Sequence, residues 1–225
     1  MKGRTSPSPL TRAKIVAAAV TLADEHGLER LSMRGVASRV RVEAMSLYNH
    51  VGGKDDLIDA MVDYVVGEIA PLARDAPWKV ALRHRSLSAH EALTRHPWAC
   101  PLIGLRLNVG PNMLAHTEAV LACLVEAGFS VEMADHGMNA IDNHVRGFTL
   151  HKLNFPIQPN DYAKAAEEYL PQLPPETYPH LRALAQMVMS GVYDGLNDFS
   201  FGLDLVLDGL ERSLLSKGAE SLSSG

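Results

Sequence analysis

An all-α fold is what this sequence predicts: a small three-helix head containing a helix-turn-helix, then a larger helical body. Three observations lead there. Apolar residues recur at three- and four-residue spacing in one segment after another. The stretch Leu31–Lys54 (LSMRGVASRVRVEAMSLYNHVGGK) reads as two short helices at an angle, the second rich in polar and aromatic residues that packing does not require. Charge is also divided unevenly. Residues 1–54 hold nine Lys/Arg against four acids and the remaining residues 12 against 22, within a net charge of −5. A basic head on an acidic body suits a molecule that offers one end to a polyanion.

The head begins after a basic, Pro/Ser-rich segment, residues 1–10, which is expected to be disordered. From Thr11 to His26 one stripe holds Ile15, Val16, Ala19, Leu22 and Ala23, with Thr11 as cap and Gly27 as terminator. Leu28 and Leu31 plug the connection into the same core. Ser32 caps a second helix whose inward residues are Val36, Ala37 and Val40. After a break at Arg41–Val42, residues Glu43 to His50 form a two-turn helix with Leu47 inward and Met45, Ser46, Tyr48, Asn49 and His50 outward. An exposed second helix of this kind fits the major groove of double-stranded DNA, where short polar side chains reach base edges. The head thus spans residues 11–53.

The next helix starts at Lys54, with Asp55 and Asp56 favoured by the dipole of its first turn. It carries Leu57, Ile58, Met61, Tyr64, Val65 and Leu72 and is expected to end near Pro71. About 17 helical residues span roughly 25 Å. With no flexible linker after the head, this helix makes a rigid link to the body, residues 54–215.

At this point the sequence resembles the TetR family of one-component transcriptional repressors. The resemblance runs from Thr11 to about Ile69 and is most specific in Leu31-Ser32-Met33-Arg34 and in Leu47-Tyr48-Asn49-His50-Val51-x-x-Lys54. It implies an N-terminal DNA-binding head and an all-helical body that binds a ligand and dimerises. It also implies DNA contacts, to base edges or phosphates, for Ser32, Met33, Arg34, Ala44, Met45, Ser46, Tyr48, Asn49, His50 and Lys54. Each has a plainer reading: Tyr48 as core, His50 as a helix cap, Arg34 and Lys54 as solvated charges. Two departures stand out. Arg41 occupies the turn where the family usually has Gly, so Arg41 or its neighbour must adopt an unusual backbone angle, or the turn differs. Ala44 and Met45 make the reading helix more apolar there, suited to thymine methyl groups.

In the body, Trp78 to His96 places Trp78, Leu82, Arg85, Ala89, Ala92, Leu93 and His96 on one stripe. Arg85 in an apolar seam calls for a carboxylate partner, a water-filled cavity or a ligand, unless the helix is rotated to expose it. An irregular segment, His96 to Pro111, precedes a helix over Asn112–Ala127 with Met113, Leu114, Thr117, Val120, Leu121 and Leu124 inward. Ser130 caps a helix to about Leu150 that carries His144 on its apolar face, as a hydrogen-bonded core residue or a pocket residue. Residues 78–150 resemble the tetracycline-repressor type of body. Shorter helices follow over 161–170 and 178–192, then a last one over 198–215, with a disordered tail from 216 to 225. On the last helix Phe201 and Leu205 fall outside the main apolar stripe. The helices around 131–150 and 198–215 are therefore expected to build a four-helix interface in a homodimer, Gly202 and Gly209 allowing close approach.

Other classes find little support. No HExxH, GxSxG, P-loop or dinucleotide fingerprint occurs, so no catalytic residues are assigned. Asp135 and His136 point away from His144 on one helix, and Cys100 and Cys123 have no partners at zinc-ligand spacing, so no metal or other cofactor is expected. The resemblance to the tetracycline repressor, whose pocket uses histidine to hold a magnesium–drug chelate, implies no tetracycline here, since no histidine stands at the corresponding 69–71 or in 101–108. Apolar runs are too short for a membrane span and no signal pattern opens the chain, which places the protein in the cytoplasm. The expected function is a DNA-binding regulator, a repressor released from a palindromic operator by a mostly apolar small-molecule effector held near Arg85, Thr117, Val120 and His144. The alternatives are an all-helical enzyme or carrier for an apolar molecule, with the head as scaffold, and a DNA-binding protein that senses nothing.

Overall fold

The computed structural model describes residues 9–73, 75–104, 109–195 and 198–223, with the side chains of Pro159 and residues 217–223 left aside. Most of the basic tail (residues 1–8), the second half of the irregular segment (105–108) and the last two residues lie outside the described residues.

The head packs α1 (Arg12–His26) across α2 (Met33–Val40), with α3 (Ala44–Leu47) against α2. Its local signals act as their chemistry dictates. Thr11 Oγ1 accepts from the Lys14 amide at 3.3 Å, Ser32 Oγ accepts from the Gly35 amide at 3.1 Å, and Gly27 ends α1 at φ +82°. Ile15, Ala19, Val36, Leu47 and Leu57 are fully buried at the centre. Leu22 is only half-buried, and Val20 takes the inward position instead.

The turn between α2 and α3 resolves the question raised by Arg41. It adopts a left-handed conformation, φ +59° and ψ +48°, so that the amides of Arg41 and Val42 bond back to the carbonyls of Ser38 and Ala37. A glycine would reach this geometry without the cost of a Cβ, about 1–2 kcal/mol. The reading helix is shorter than expected. After one α-turn at Ala44–Leu47 the backbone tightens, the amides of Tyr48 and His50 bonding to the carbonyls of Met45 and Leu47.

Helix α4 (Lys54–Gly67) joins head to body and stops four residues before Pro71. Its buried face includes Leu57, Ile58, Met61, Val62, Asp63, Val65 and Val66, whereas Tyr64 is exposed. The inward stripe is thus wider than the spacing indicated, because α4 is gripped by α1 on one side and by the body on the other.

The body consists of α5 (Trp78–Arg95), α6 (Pro111–Glu126), α7 (Val131–Asn154), α8 (Tyr162–Tyr169), α9 (Pro179–Met189) and α10 (Phe199–Ser223). α7 packs on α5, α6 and α10, and α8 pairs with α9. Two helices outrun their expected ends. α7 continues to Asn154, and α10 continues to Ser223, through the stretch expected as a disordered tail; no proline interrupts either extension. Among the described residues no helix is long and apolar enough to cross a membrane.

Candidate DNA-binding surface and effector cavity

The expected DNA-contacting residues form two groups at the head. Ser32, Met33 and Arg34 begin α2, Ser32 being occupied as its cap. Ala44, Met45, Ser46, Tyr48, Asn49 and His50 lie on α3 and the turn after it, and Lys54 opens α4. Met45 is 75% exposed and Tyr48 49%, Asn49, Arg34 and Lys54 are exposed, and Ala44, Ser46 and His50 are half-buried around the inward Leu47. Met45 is thus a large apolar side chain left in solvent, contributing little to the core.

The basic residues divide by partner. Arg12 pairs with Asp56 at 2.7 and 2.8 Å and donates to the His50 carbonyl at 3.0 Å; the Gly52 amide also donates to Asp56 at 2.7 Å. These bonds hold the Asp56 carboxyl down at about 2 and brace the turn between α3 and α4 against α1. Arg39 is likewise held by Glu25, at 2.6 and 2.7 Å. Arg34, Arg41 and Lys54 have no acidic partner within salt-bridge distance among the described residues, which leaves their charge available to phosphate. Sequence reasoning missed both braces, since contacts across 44 and 14 residues leave no periodic trace.

The body contains a cavity of about 770 Å³ between the end of α4, α5 and α6. Apolar and small residues dominate its wall, among them Val66, Ile69, Leu72, Trp78, Ala115, Ala119 and Ala122, with Arg85, Asn112, His116 and Glu126 as polar groups. Arg85 is 7% exposed, its Nη1 donates to the Ala70 carbonyl, and its Nη2 bonds to His116 Nδ1. Its Nε has no partner. No carboxylate among the described residues lies within salt-bridge distance; Asp142 on α7 acts on it only through space. Of the routes open to a buried guanidinium, this chain takes the cavity rather than the ion pair.

The other three expected ligand residues do not line this cavity. Val120 is buried in the core with Leu124, and Thr117 Oγ1 bonds back to the Met113 carbonyl at 3.0 Å. The face of α6 that meets the cavity is instead Ala115, His116, Ala119, Ala122 and Cys123. His144 bonds to the Phe199 carbonyl at 2.9 Å and packs against Phe148 and Phe199 where α7 meets α10. A Cβ on Gly202 would strike that imidazole, so Gly202 serves packing within the chain, while Gly209 remains open.

His116 went unnoticed in the sequence, although alanines at 115, 119 and 122 were a sign of a helix face with empty space beside it. Burial, followed by the charge of Arg85, pushes its pKa down to about 4. The ring is therefore neutral at pH 7. Because Nδ1 accepts from Arg85, the ring proton sits on Nε2.

Three connections tie the cavity to the head. Ala70, just past α4, is clamped to α5 at both ends of its backbone, its amide donating to Ser88 Oγ at 2.9 Å and its carbonyl accepting from Arg85. Asp63 of α4 accepts from the Met113 amide at 2.9 Å and from Asn112 Nδ2 at 3.1 Å, capping α6 from another helix. Gly110 is needed there, since a Cβ would occupy the space of that carboxylate. Finally, His96 lies between Asp24 of α1, at 2.8 Å, and Glu68 at the end of α4, at 3.1 Å; Trp98 Nε1 also donates to Asp24 at 2.7 Å.

Comparison with known proteins agrees with this layout. The family description "Tetracyclin repressor-like, C-terminal domain" matches residues 70–214, and "Bacterial regulatory proteins, tetR family" matches residues 15–61. An HTH-type transcriptional regulator of Saccharopolyspora erythraea is 40% identical over 147 residues, 65% of this chain and 62% of that protein. The HTH-type transcriptional repressor DrrR1 of Streptomyces coeruleorubidus is 31% identical over 226 residues, covering 96% of this chain and 83% of its own. Among solved structures, ActR of Streptomyces coelicolor in complex with actinorhodin superposes with a TM-score of 0.74 at 28% identity, over 93% of this chain and 99% of that one. A helix-turn-helix head braced onto a cavity-bearing helical body, with family matches over both parts, makes this chain a member of the TetR family of bacterial regulatory proteins.

Proposed function

We infer that this chain is a ligand-responsive transcriptional regulator that binds double-stranded DNA as a homodimer in the cytoplasm and represses until a small molecule occupies the cavity between α4, α5 and α6. The observation that carries this reading is the cavity's position: the Arg85 that lines it also holds Ala70 at the exit of the helix that begins beside α3. A ligand that binds better when α4 has shifted lowers DNA affinity by its differential affinity for the two states, and needs no other device.

For DNA, α3 enters the major groove with Met45, Tyr48 and Asn49 outward, and Arg34, Arg41 and Lys54 supply phosphate contacts. Two heads about 34–36 Å apart read a pseudo-palindromic operator. The exposed Phe201 and Leu205 of α10 support pairing of two copies through α7 and α10, with Gly209 open to a second chain. The actinorhodin complex of ActR supports a cavity that takes an organic ligand. The relatives are regulators and repressors, which favours regulation over an enzyme or carrier role.

The test is binding to the DNA upstream of its own gene at moderate salt. Sequence-selective retardation by a dimer is expected; indifference to sequence would overturn the reading.

A further inference from the structure

We propose that the effector is an organic acid, a mostly apolar body bearing one carboxylate, and that Arg85 and His116 together receive that carboxylate. The proposal rests on the cavity being the effector site and adds the charge of what enters it.

The wall of the cavity holds a guanidinium that no described carboxylate touches: Asp142 acts on it only through space, and the one acid on the wall, Glu126, stands ten residues along α6 from His116. Arg85 is buried, its Nε–H is without a partner, and its two other contacts are a backbone carbonyl and a neutral imidazole. Neither carries negative charge. A buried guanidinium with no carboxylate in contact is costly, and an anion delivered through the cavity offsets that cost. His116 reinforces the same sign of ligand: with Nδ1 accepting from Arg85, its Nε2–H remains as a donor on a residue that lines the cavity. Guanidinium and Nε2–H offer donors only, which suits a group with two acceptor oxygens and no proton of its own. The remaining wall restricts the body of the ligand. Trp78, Leu72, Ile69 and the alanine face of α6 are apolar, with Asn112 and Glu126 as the other polar groups, and about 770 Å³ lies in the range of pockets that take a drug-sized molecule. A carboxylate on Arg85 also competes with the Ala70 carbonyl for the same guanidinium, so its arrival loosens the exit of α4.

The experiment pairs each acid with its own amide, which has the same shape without the charge: benzoate, 2-naphthoate and anthracene-2-carboxylate against benzamide, 2-naphthamide and anthracene-2-carboxamide. Each is titrated into the full chain by calorimetry, with Arg85→Gln and Arg85→Lys in parallel. At least one acid is expected to bind about tenfold or more tighter than its amide, as charge-assisted hydrogen bonds are stronger than neutral ones. That preference should vanish in Arg85→Gln and survive in part in Arg85→Lys. Acids and amides binding equally, or an acid preference that persists in Arg85→Gln, overturns the proposal while the cavity stands as an effector site. Silence from both series at millimolar concentration overturns the effector site as well. Should Arg85→Gln lose its helical circular dichroism, His116→Leu takes its place. It removes the Nε2–H donor and should cut the preference at least threefold; an unchanged preference overturns the proposal.

Discussion

Asp63→Ala is the sharpest perturbation of the link between cavity and head. Asp63 is 7% exposed and reaches from α4 to the first turn of α6, where its carboxylate accepts from the Met113 amide at 2.9 Å and from Asn112 Nδ2 at 3.1 Å. Gly110, at the cap position of α6, has no side chain to substitute for it. A hydrogen bond to a charged acceptor contributes about 1.5–3 kcal/mol and a helix cap about 1 kcal/mol, and these describe the same Met113 bond, so they are not summed. The bond from the exposed Asn112 adds about 0.5 kcal/mol, as an interaction partly replaced by water. The expected loss is therefore about 2–3.5 kcal/mol, or roughly 4–14 °C in Tm for a chain of this size. Asp63→Asn keeps one acceptor oxygen and should recover about half of that loss. Urea and thermal unfolding of the three proteins measure the effect, and hydrogen exchange at the Met113 amide locates it. A change below about 0.5 kcal/mol, or alanine and asparagine behaving alike with Met113 still protected, would refute the assignment of Asp63 as the cap of α6.

Four further outcomes follow. Tyr48→Ala and Lys54→Ala should weaken binding to all DNA sequences alike, Lys54→Ala also flattening the salt dependence, whereas changes at Ser46 or Asn49 should alter sequence preference in a selection assay. Phe201→Asp combined with Leu205→Asp should convert a dimer to a monomer in analytical ultracentrifugation; a dimer that persists places the interface elsewhere. His96→Ala removes the side chain that joins Asp24 to Glu68 and should separate the unfolding of the head from that of the body in calorimetry, where the wild type is expected to melt as one unit. Acid stability has two windows with one sign. His116, neutral when folded and with its pKa lowered to about 4, makes the protein lose stability as pH falls from about 6.5 towards 4, because the unfolded chain takes up the proton first. Asp56, held near 2, contributes above about 3.8 and loses its effect as pH falls from there to 2. His116→Leu should flatten the upper window and Asp56→Asn the lower, the latter only slightly because the pair with Arg12 is solvent-exposed.

The helices, the division into head and body, and the exposed face of α3 were legible in the sequence because each leaves a local mark. Thr11 and Ser32 cap their helices by bonds that span three residues, and Leu47 is inward because helical spacing puts it there. At Arg41 the resemblance left three outcomes open, a strained Arg41, a strained neighbour or a different turn, and the structure takes the first. Arg85 was singled out as a charge in an apolar stripe. What surrounded it was not legible. Whether a buried guanidinium meets a carboxylate, a carbonyl or an empty space depends on which helices cross over it. Here Ala70, 15 residues away, and His116, 31 away, supply the contacts. Thr117, Val120 and His144 show the converse, since periodicity marks a face as inward without saying whether it meets a core or a cavity. The acidic braces belong to the same class: Asp56 on Arg12, Asp63 on α6, and His96 between Asp24 and Glu68 join residues 28 to 72 positions apart. The sequence by itself determined what forms through backbone hydrogen bonds and spacing within a few turns, namely the helices and the exposed face of α3. Only the tertiary structure decided where space was left between helices and which charge was left uncompensated beside it, because both depend on how distant segments pack.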